Sequence, residues 1–332
     1  SGYLGLRLLN EEGYHVFPVE EQMINDPNFP TVKVPNPEEK DAFEYAIRLG
    51  KKTKAELLIA TDPDADRLGI AVLHNADYIL LSGNQTGALL IYYILNEKQK
   101  QNILPDKGVV FNTIVTSDLG AKIARSFGMD VISTLTGFKF IGEQARYLES
   151  EDREFVFGYE ESYGYVIDDG VRDKDSLQAI LMISEAANYY LVNENKTLYD
   201  KLLEVYEEFG YYYEGLKNIH LLGKEGQEQI SRIMDFFRNN PLTKINNHPI
   251  VKIEDFELSE RYINNKVETI DLDKSNVLKY YLDDESWFVL RPSGTEPKLK
   301  IYAGVIGLSL EDSVRKVSEL LDNVIDIVRK VD

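Results

Sequence analysis

A spaced repeat constrains the fold of this chain more than any other feature. The stretch LGLRLLNEEGYHVFPV, from Leu4, matches LGAKIARSFGMDVIST, from Leu119. Gly5 falls on Gly120, Gly13 on Gly128 and Val16 on Val131, at one offset of 115 (120 − 5, 128 − 13, 131 − 16). Each stretch predicts a helix, a glycine that ends it and then a strand. Two more matches follow in the same order. Residues 56–60 (ELLIA) match 154–158 (EFVFG), and Ala88-Leu89-Leu90 match Ala179-Ile180-Leu181 inside helical patterns. Chance could produce one match, but three in a single order predict two related α/β units.

The remainder reads differently. Residues 230–237 predict a helix, 241–249 a loop, and several strands follow, among them Trp287-Phe288-Val289-Leu290 and Leu299-Lys300-Ile301-Tyr302. Over 310–331, apolar residues at Val314, Val317, Leu320, Leu321, Val324, Ile325 and Val328 have the spacing of an amphipathic helix. The expected fold class is α/β. Two related α/β units with mixed sheets cover 1–103 and 104–222, and a smaller C-terminal α+β domain covers 223–332.

The chain has 332 residues, 43% of them hydrophobic, enough for two or three domains with real cores. A formal net charge of −19 argues against a nucleic-acid binder, so a phosphate ligand must be drawn by a local basic cluster or a metal. There are no cysteines, which excludes disulfides, thiolate zinc and thiol nucleophiles and fits a cytoplasmic protein. No apolar run approaches about 18 residues, so no membrane helix is expected. No signal peptide opens the chain. It runs straight into a helical pattern, as if it began inside a domain.

Asp62, Asp64 and Asp66 stand in TDPDADR between two apolar runs, 57–60 and 68–73, that predict buried strands. Three carboxylates at alternate positions repel one another and need a counter-charge or protons. A hard divalent cation supplies that charge, and phosphate chemistry favours Mg²⁺. An EF-hand would need Gly where Arg67 stands and Glu where Leu73 stands, so it fails. A haloacid-dehalogenase-type phosphatase would want Thr or Val in place of Asp66. A plain acidic turn is the remaining alternative. Arg67 is either a surface charge or a bidentate phosphate ligand beside the metal.

Two further loops carry chemistry. In RPSGTEPK, Arg291, Ser293, Gly294, Thr295 and Lys298, with Lys300 beyond, combine a bent backbone, hydroxyls and cations suited to a phosphate. In YEESYG, Glu160 and Ser162 on extended chain would point the same way, as a pair for vicinal sugar hydroxyls. The repeat sets this loop opposite the aspartate loop, and strand ends are where α/β sheets bind ligands. Thr136, Gly137, Lys139 and Lys174 are further candidates. The histidines lie outside these loops, and Ser162 and Ser293 lack a local base, so serine-hydrolase chemistry is not expected.

TDPDADR, GYEESYGY and RPSGTEPK, in this order and rough spacing, resemble the α-D-phosphohexomutase superfamily, in particular its phosphoglucomutase and phosphopentomutase branch. The resemblance covers essentially the whole chain. It implies three related α/β domains and a smaller fourth, with this chain supplying most of domain II, then III and IV. It implies Mg²⁺ on Asp62, Asp64 and Asp66, with Arg67 beside the transferred phosphoryl group and Lys174 near the reacting hydroxyl. Thr136 and Gly137 would line the sugar cleft, Glu160 and Ser162 would hold the 3- and 4-hydroxyls, and Arg291, Ser293, Gly294 and Thr295 would grip the phosphate that does not react. Glucose 1,6-bisphosphate would be the intermediate in exchanging glucose 1-phosphate and glucose 6-phosphate. The family's phosphoserine segment, of the type Thr-Ala-Ser-His-Asn-Pro, is not in this sequence. The chain alone is therefore expected to bind a small phosphorylated sugar without turnover, its N-terminal domain being the missing partner. Phosphomannomutase or phosphopentomutase activity, a non-catalytic sugar-phosphate-binding protein, and a phosphatase with Asp62 as nucleophile are the alternatives.

Overall fold

The computed structural model describes residues 2–221, 223–264, 266–294 and 296–331. These form two compact units, 1–209 and 210–332.

The first unit opens with α1 (Gly2–Glu11), α2 (Glu44–Thr53), β1 (Leu57–Thr61), β2 (Leu68–His74), β3 (Asp77–Leu81) and α3 (Gly83–Lys100). It continues through β4 (Gly108–Thr113), α4 (Asp118–Ser126), β5 (Asp130–Thr134), α5 (Phe138–Leu148), β6 (Glu154–Tyr159), β7 (Tyr165–Val166), α6 (Ser176–Glu194) and α7 (Leu198–Phe209). The sequence repeat appears as matched elements: α1 with α4, β1 with β6, and α3 with α6. Gly13 and Gly128 end the paired helices with φ of +86° and +79°, a conformation that costs other residues a steric penalty.

The repeat is imperfect in one place. After Gly128 the chain forms β5, which pairs in parallel with β4. After Gly13 the expected strand is absent, and residues 14–18 join no ladder. An extended segment becomes a strand only where a neighbour completes its hydrogen bonds, and β4 has no counterpart beside residues 14–18. The sheet of the first half is therefore β1-β2-β3, wholly antiparallel, rather than mixed. The second sheet, β5-β4-β6-β7, is mixed, with β4 parallel to both its neighbours and β7 antiparallel to β6. Every residue of β4 is buried, as its unbroken GVVF run requires of a strand covered on both faces.

The second unit carries β8 (Tyr211–His220), α8 (Gly223–Asn239), β9 (Lys244–Ile245), β10 (His248–Asp255), β11 (Glu260–Ile263), β12 (Lys266–Thr269), β13 (Leu278–Leu282), β14 (Trp287–Pro292), β15 (Lys298–Gly307) and α9 (Leu310–Val328). The strands form one antiparallel sheet in the order β12-β11-β10-β13-β14-β15-β8, with β9 beside β10. Because β8 pairs with β15 along its whole length, residues 211–220 belong to this sheet and not with 104–222. The first unit changes from one sheet to the next between Leu81 and Gly108, an interval that contains the boundary expected at 103, which we keep as a proposal.

The core of the second unit lies between the sheet and α8 and α9, where Phe237, Phe288, Leu290, Ile301 and Val324 are fully enclosed. Val314, counted among the apolar stripe of α9, is instead 44% exposed. Tyr280 stacks on Phe288 with ring centres 4.7 Å apart and planes 4° from parallel. The chain's one tryptophan, Trp287, sits beside Phe288 and reports on this unit alone. We expect Phe288→Ala to lower the stability of the second unit by about 3–5 kcal/mol, a cavity left by a large buried aromatic. Urea unfolding followed by Trp287 fluorescence measures it, and a loss under about 1 kcal/mol would contradict the packing described.

Candidate active site

The aspartate loop is folded by its own first residue. Asp62 Oδ1 accepts from the backbone N–H groups of Asp66 and Arg67, each at 3.0 Å. This Asx-type closure curls the loop and draws one carboxylate oxygen from each of Asp62, Asp64 and Asp66 to within 4.8 Å of the others. Burial raises the Asp62 carboxyl to about 6, opposed by the Arg67 N–H and reinforced by Asp66 and Asp64. Asp66 Oδ1 is buried and accepts no hydrogen bond, with Arg67 Nε the nearest paired cation at 3.8 Å. Such an oxygen is costly to leave without a partner. An all-oxygen cluster holding an orphaned carboxylate oxygen fits a hard divalent cation such as Mg²⁺.

The loop after β6 meets the aspartate loop through the backbone. Leu68 N–H donates to Tyr163 O at 3.0 Å, and Arg67 pairs with Gly164 as an antiparallel bridge. From the other side, the Ser176 backbone N–H and hydroxyl both donate to Ala65 O, at 3.2 and 2.6 Å. Residues 160–163 form a turn closed by Glu160 N–H donating to Gly164 O at 2.9 Å. The expectation that Glu160 and Ser162 share a side through strand alternation therefore does not hold. β6 ends at Tyr159, and a turn does not alternate its side chains.

Lys174 Nζ lies 2.9 Å from both Asp66 Oδ2 and Asp173 Oδ1. Burial works against its charge, but these two carboxylates outweigh it and hold its pKa above the ordinary lysine value. Gly164 makes room for it, since a Cβ there would fall 2.3 Å from Lys174 Cδ. Glu160, 6% exposed, accepts the Gly137 N–H at 2.7 Å. Burial pushes its pKa up, and the Gly137 N–H, Lys174 and Arg67 pull against that.

The structure thus brings together Asp62, Asp64, Asp66, Arg67, Gly137, Glu160 and Lys174, with Thr136 and Ser162 half-buried beside them. Lys139 does not join them. It is exposed on α5, its ammonium 4.8 Å above the Phe140 ring, with no carboxylate partner among the described residues. Two features were hidden from the sequence. Glu38 binds Arg67 Nη1 at 2.7 Å from 29 residues away, with no motif to mark it. Glu161 receives the hydroxyls of Thr113 and Thr116, which no local spacing reveals.

In the second unit, Arg291 and Pro292 end β14 and Lys298 starts β15. Arg291 is half-buried and has no ion pair among the described residues. The Ser293 N–H donates to Lys298 O at 2.8 Å, so it closes the hairpin and is not open to an anion. Lys298 Nζ pairs with Glu296 Oε2 at 3.0 Å. Gly294 is exposed, and Thr295 lies outside the described residues. Elsewhere in this unit His248 Nδ1 lies 2.8 Å from Asp283 Oδ1, and its Nε2 lies 3.6 Å from Asp284 Oδ2. This grouping is a surface contact that the sequence did not announce. Among the described residues no helix is long and apolar enough to cross a membrane.

Three family models match the chain in order. They are the phosphoglucomutase/phosphomannomutase α/β/α domain II over residues 1–75, domain III over 82–209, and the C-terminal domain over 252–305. The chain is 40% identical over 311 residues to the phosphoglucomutase of Staphylococcus haemolyticus (strain JCSC1435), covering 92% of this chain and 55% of that protein. It is 39% identical over 319 residues to the phosphoglucomutase of Staphylococcus aureus (strain MRSA252), covering 95% of this chain and 56% of that one. The chain thus spans about half the length of these curated relatives. Among solved structures, a phosphoglucomutase/phosphomannomutase family protein of Burkholderia thailandensis shares the fold with a TM-score of 0.61. It is 17% identical, with 99% of this chain and 58% of that chain covered.

The orphaned Asp66 oxygen gives a direct expectation. Mg²⁺ at about a hundred times its dissociation constant should raise the melting temperature of the first unit by roughly 5 °C or more. Asp66→Asn should remove most of that rise. Scanning calorimetry with and without Mg²⁺ measures both, and an equal rise in the variant would rule out the carboxylate trio as the ion's site.

Proposed function

The chain belongs to the α-D-phosphohexomutase superfamily, and from that premise we propose that it serves a phosphoglucomutase-type isomerase exchanging glucose 1-phosphate and glucose 6-phosphate. The observation that carries this reading is the meeting, in the first unit, of the aspartate trio, Arg67 and Lys174 with Glu160 of the turn after β6. Glucose is preferred over mannose or a pentose because the two relatives described above are named phosphoglucomutases.

Each residue has a role in this proposal. Asp62, Asp64 and Asp66 would hold Mg²⁺, which when bound neutralises charge on the phosphoryl oxygens. Arg67, steadied on one side by Glu38, offers its remaining N–H groups to those oxygens. Lys174, kept protonated by Asp66 and Asp173, donates to the oxygen that gains or loses the phosphoryl group. Glu160 and Ser162 grip neighbouring sugar hydroxyls, with Thr136 and the Gly137 backbone beside them. The loop of the second unit is proposed as a phosphate-binding element in its own right, with Arg291 as its principal donor and Ser293, Gly294 and Lys298 around it. A phosphoserine and glucose 1,6-bisphosphate complete the proposed cycle. No Thr-Ala-Ser-His-Asn-Pro-like segment is present in these residues, so the donor serine is not among them.

We expect the purified chain with Mg²⁺ to bind glucose 1-phosphate by calorimetry. We also expect it to form no glucose 6-phosphate in a dehydrogenase-coupled assay. Glu160→Ala should weaken the binding by roughly tenfold, the loss of charge-assisted hydrogen bonds. Sustained turnover would refute the absence of a donor group, and no binding at all would refute the sugar-phosphate site.

A further inference from the structure

Glu161 is the carboxylate next to the proposed sugar ligand, and the mechanism above leaves it unused. Its Oε2 lies 3.2 Å from Thr113 Oγ1 and 3.3 Å from Thr116 Oγ1. The two hydroxyls are themselves 2.9 Å apart. Thr113 ends β4 and Thr116 stands in the turn before α4, and Thr116 Oγ1 also receives the Thr113 N–H at 3.1 Å. They are buried, at 2% exposure each. The turn after β6 is therefore fastened to the turn after β4 by a side-chain triangle, 45 to 48 residues apart in sequence.

We infer that Glu161 is the positioning residue of the sugar-binding turn, holding residues 160–163 against Thr113 and Thr116 so that the Glu160 carboxylate stays on the Gly137 N–H. The inference rests on the reading of Glu160 as a sugar ligand. The contacts at Glu160 and Glu161 divide the work: Glu160 points to the β5–α5 turn through Gly137, and Glu161 to the β4–α4 turn through the threonines. The short turn between β6 and β7 is thereby clamped at two consecutive side chains. Its third tie is the backbone bond from Leu68 to Tyr163.

The triangle also has a hydrogen count. Closing all three oxygen–oxygen contacts takes three hydrogens, and two hydroxyls supply two. A proton on Glu161 supplies the third. Burial, then the charge of Glu160, raises this carboxyl to about 7, opposed by the Thr113 hydroxyl. A neutral amide can take the place of the protonated acid here, because its NH2 group brings two hydrogens to the position that faces both threonines, which with one hydroxyl hydrogen makes three.

The test compares the full chain with Glu161→Gln, Glu161→Ala and the double variant Thr113→Val/Thr116→Val. Hydrogen exchange of the Gly137 and Glu160 amides is the first readout, and calorimetric binding of glucose 1-phosphate the second. Glu161→Ala and the double variant should speed exchange at those two amides by roughly tenfold, the loss of one or two hydrogen bonds. β4 as far as Asn112, and α5, should exchange as in the parent. Glu161→Gln should match the parent in both readouts, and Thr113→Val/Thr116→Val, which keeps the volume and removes only the hydroxyls, should be as loose as Glu161→Ala, which a merely space-filling role would not produce. If Glu161→Ala leaves the two amides unchanged, or if glutamine is as loose as alanine, the inference is overturned. If the parent chain fails to bind glucose 1-phosphate while the exchange pattern holds, the sugar reading falls and the positioning role stands. If the parent binds and Glu161→Ala binds equally well, the positioning role falls and the sugar reading stands.

Discussion

Two backbone contacts underlie the candidate site: the Leu68 N–H on Tyr163 O and the Arg67–Gly164 bridge. They join the start of β2 to the turn after β6, and so join two sheets that otherwise share no ladder. A mutation cannot easily remove them, because they involve no side chain. Everything chemical in the first unit is hung from this seam. The aspartate loop sits immediately before it, and the sugar turn sits immediately beyond it. Lys174 enters through the space that Gly164 leaves open, and Ser176 holds Ala65 from the far side.

Electrostatics explains why such a seam serves a cation and a phosphate. Around it stand Asp62, Asp64, Asp66, Glu38, Glu160 and Glu161, answered by Arg67 and Lys174. The acids outnumber the bases in a partly dry setting. Asp62, Glu160 and Glu161 all shift upward, with burial the first cause in each and neighbouring acids adding to it. A divalent ion on the aspartate trio would relieve that excess, sharing the Asp66 carboxylate with Lys174. The field of the whole chain, at −19, repels phosphates, so attraction must come from these few groups at close range.

Much of this was legible beforehand, for identifiable reasons. The buried runs around TDPDADR become β1 and β2 because apolar residues of that length have few other fates. The repeat announced α4, β5 and α6 because helix, glycine stop and strand each leave a local mark. The strand expected after Gly13 failed because strandness is a property of a pair, and residues 14–18 find no partner. The extended form expected for Glu160 to Ser162 failed because a turn closed by Glu160 and Gly164 ends the strand at Tyr159. Glu38 and the Thr113–Thr116–Glu161 triangle could not be read, since they join residues tens of positions apart. Lys139, the second residue of α5, is exposed with its ammonium over the Phe140 ring.

The most direct measurement on the central claim is the location of Mn²⁺, standing in for Mg²⁺, by anomalous diffraction from crystals of this chain. The account requires a peak bounded by the carboxylates of Asp62, Asp64 and Asp66, with Asp66 Oδ1 among its ligands. A map with no peak there, or with Mn²⁺ only at His248, Asp283 and Asp284, would contradict it.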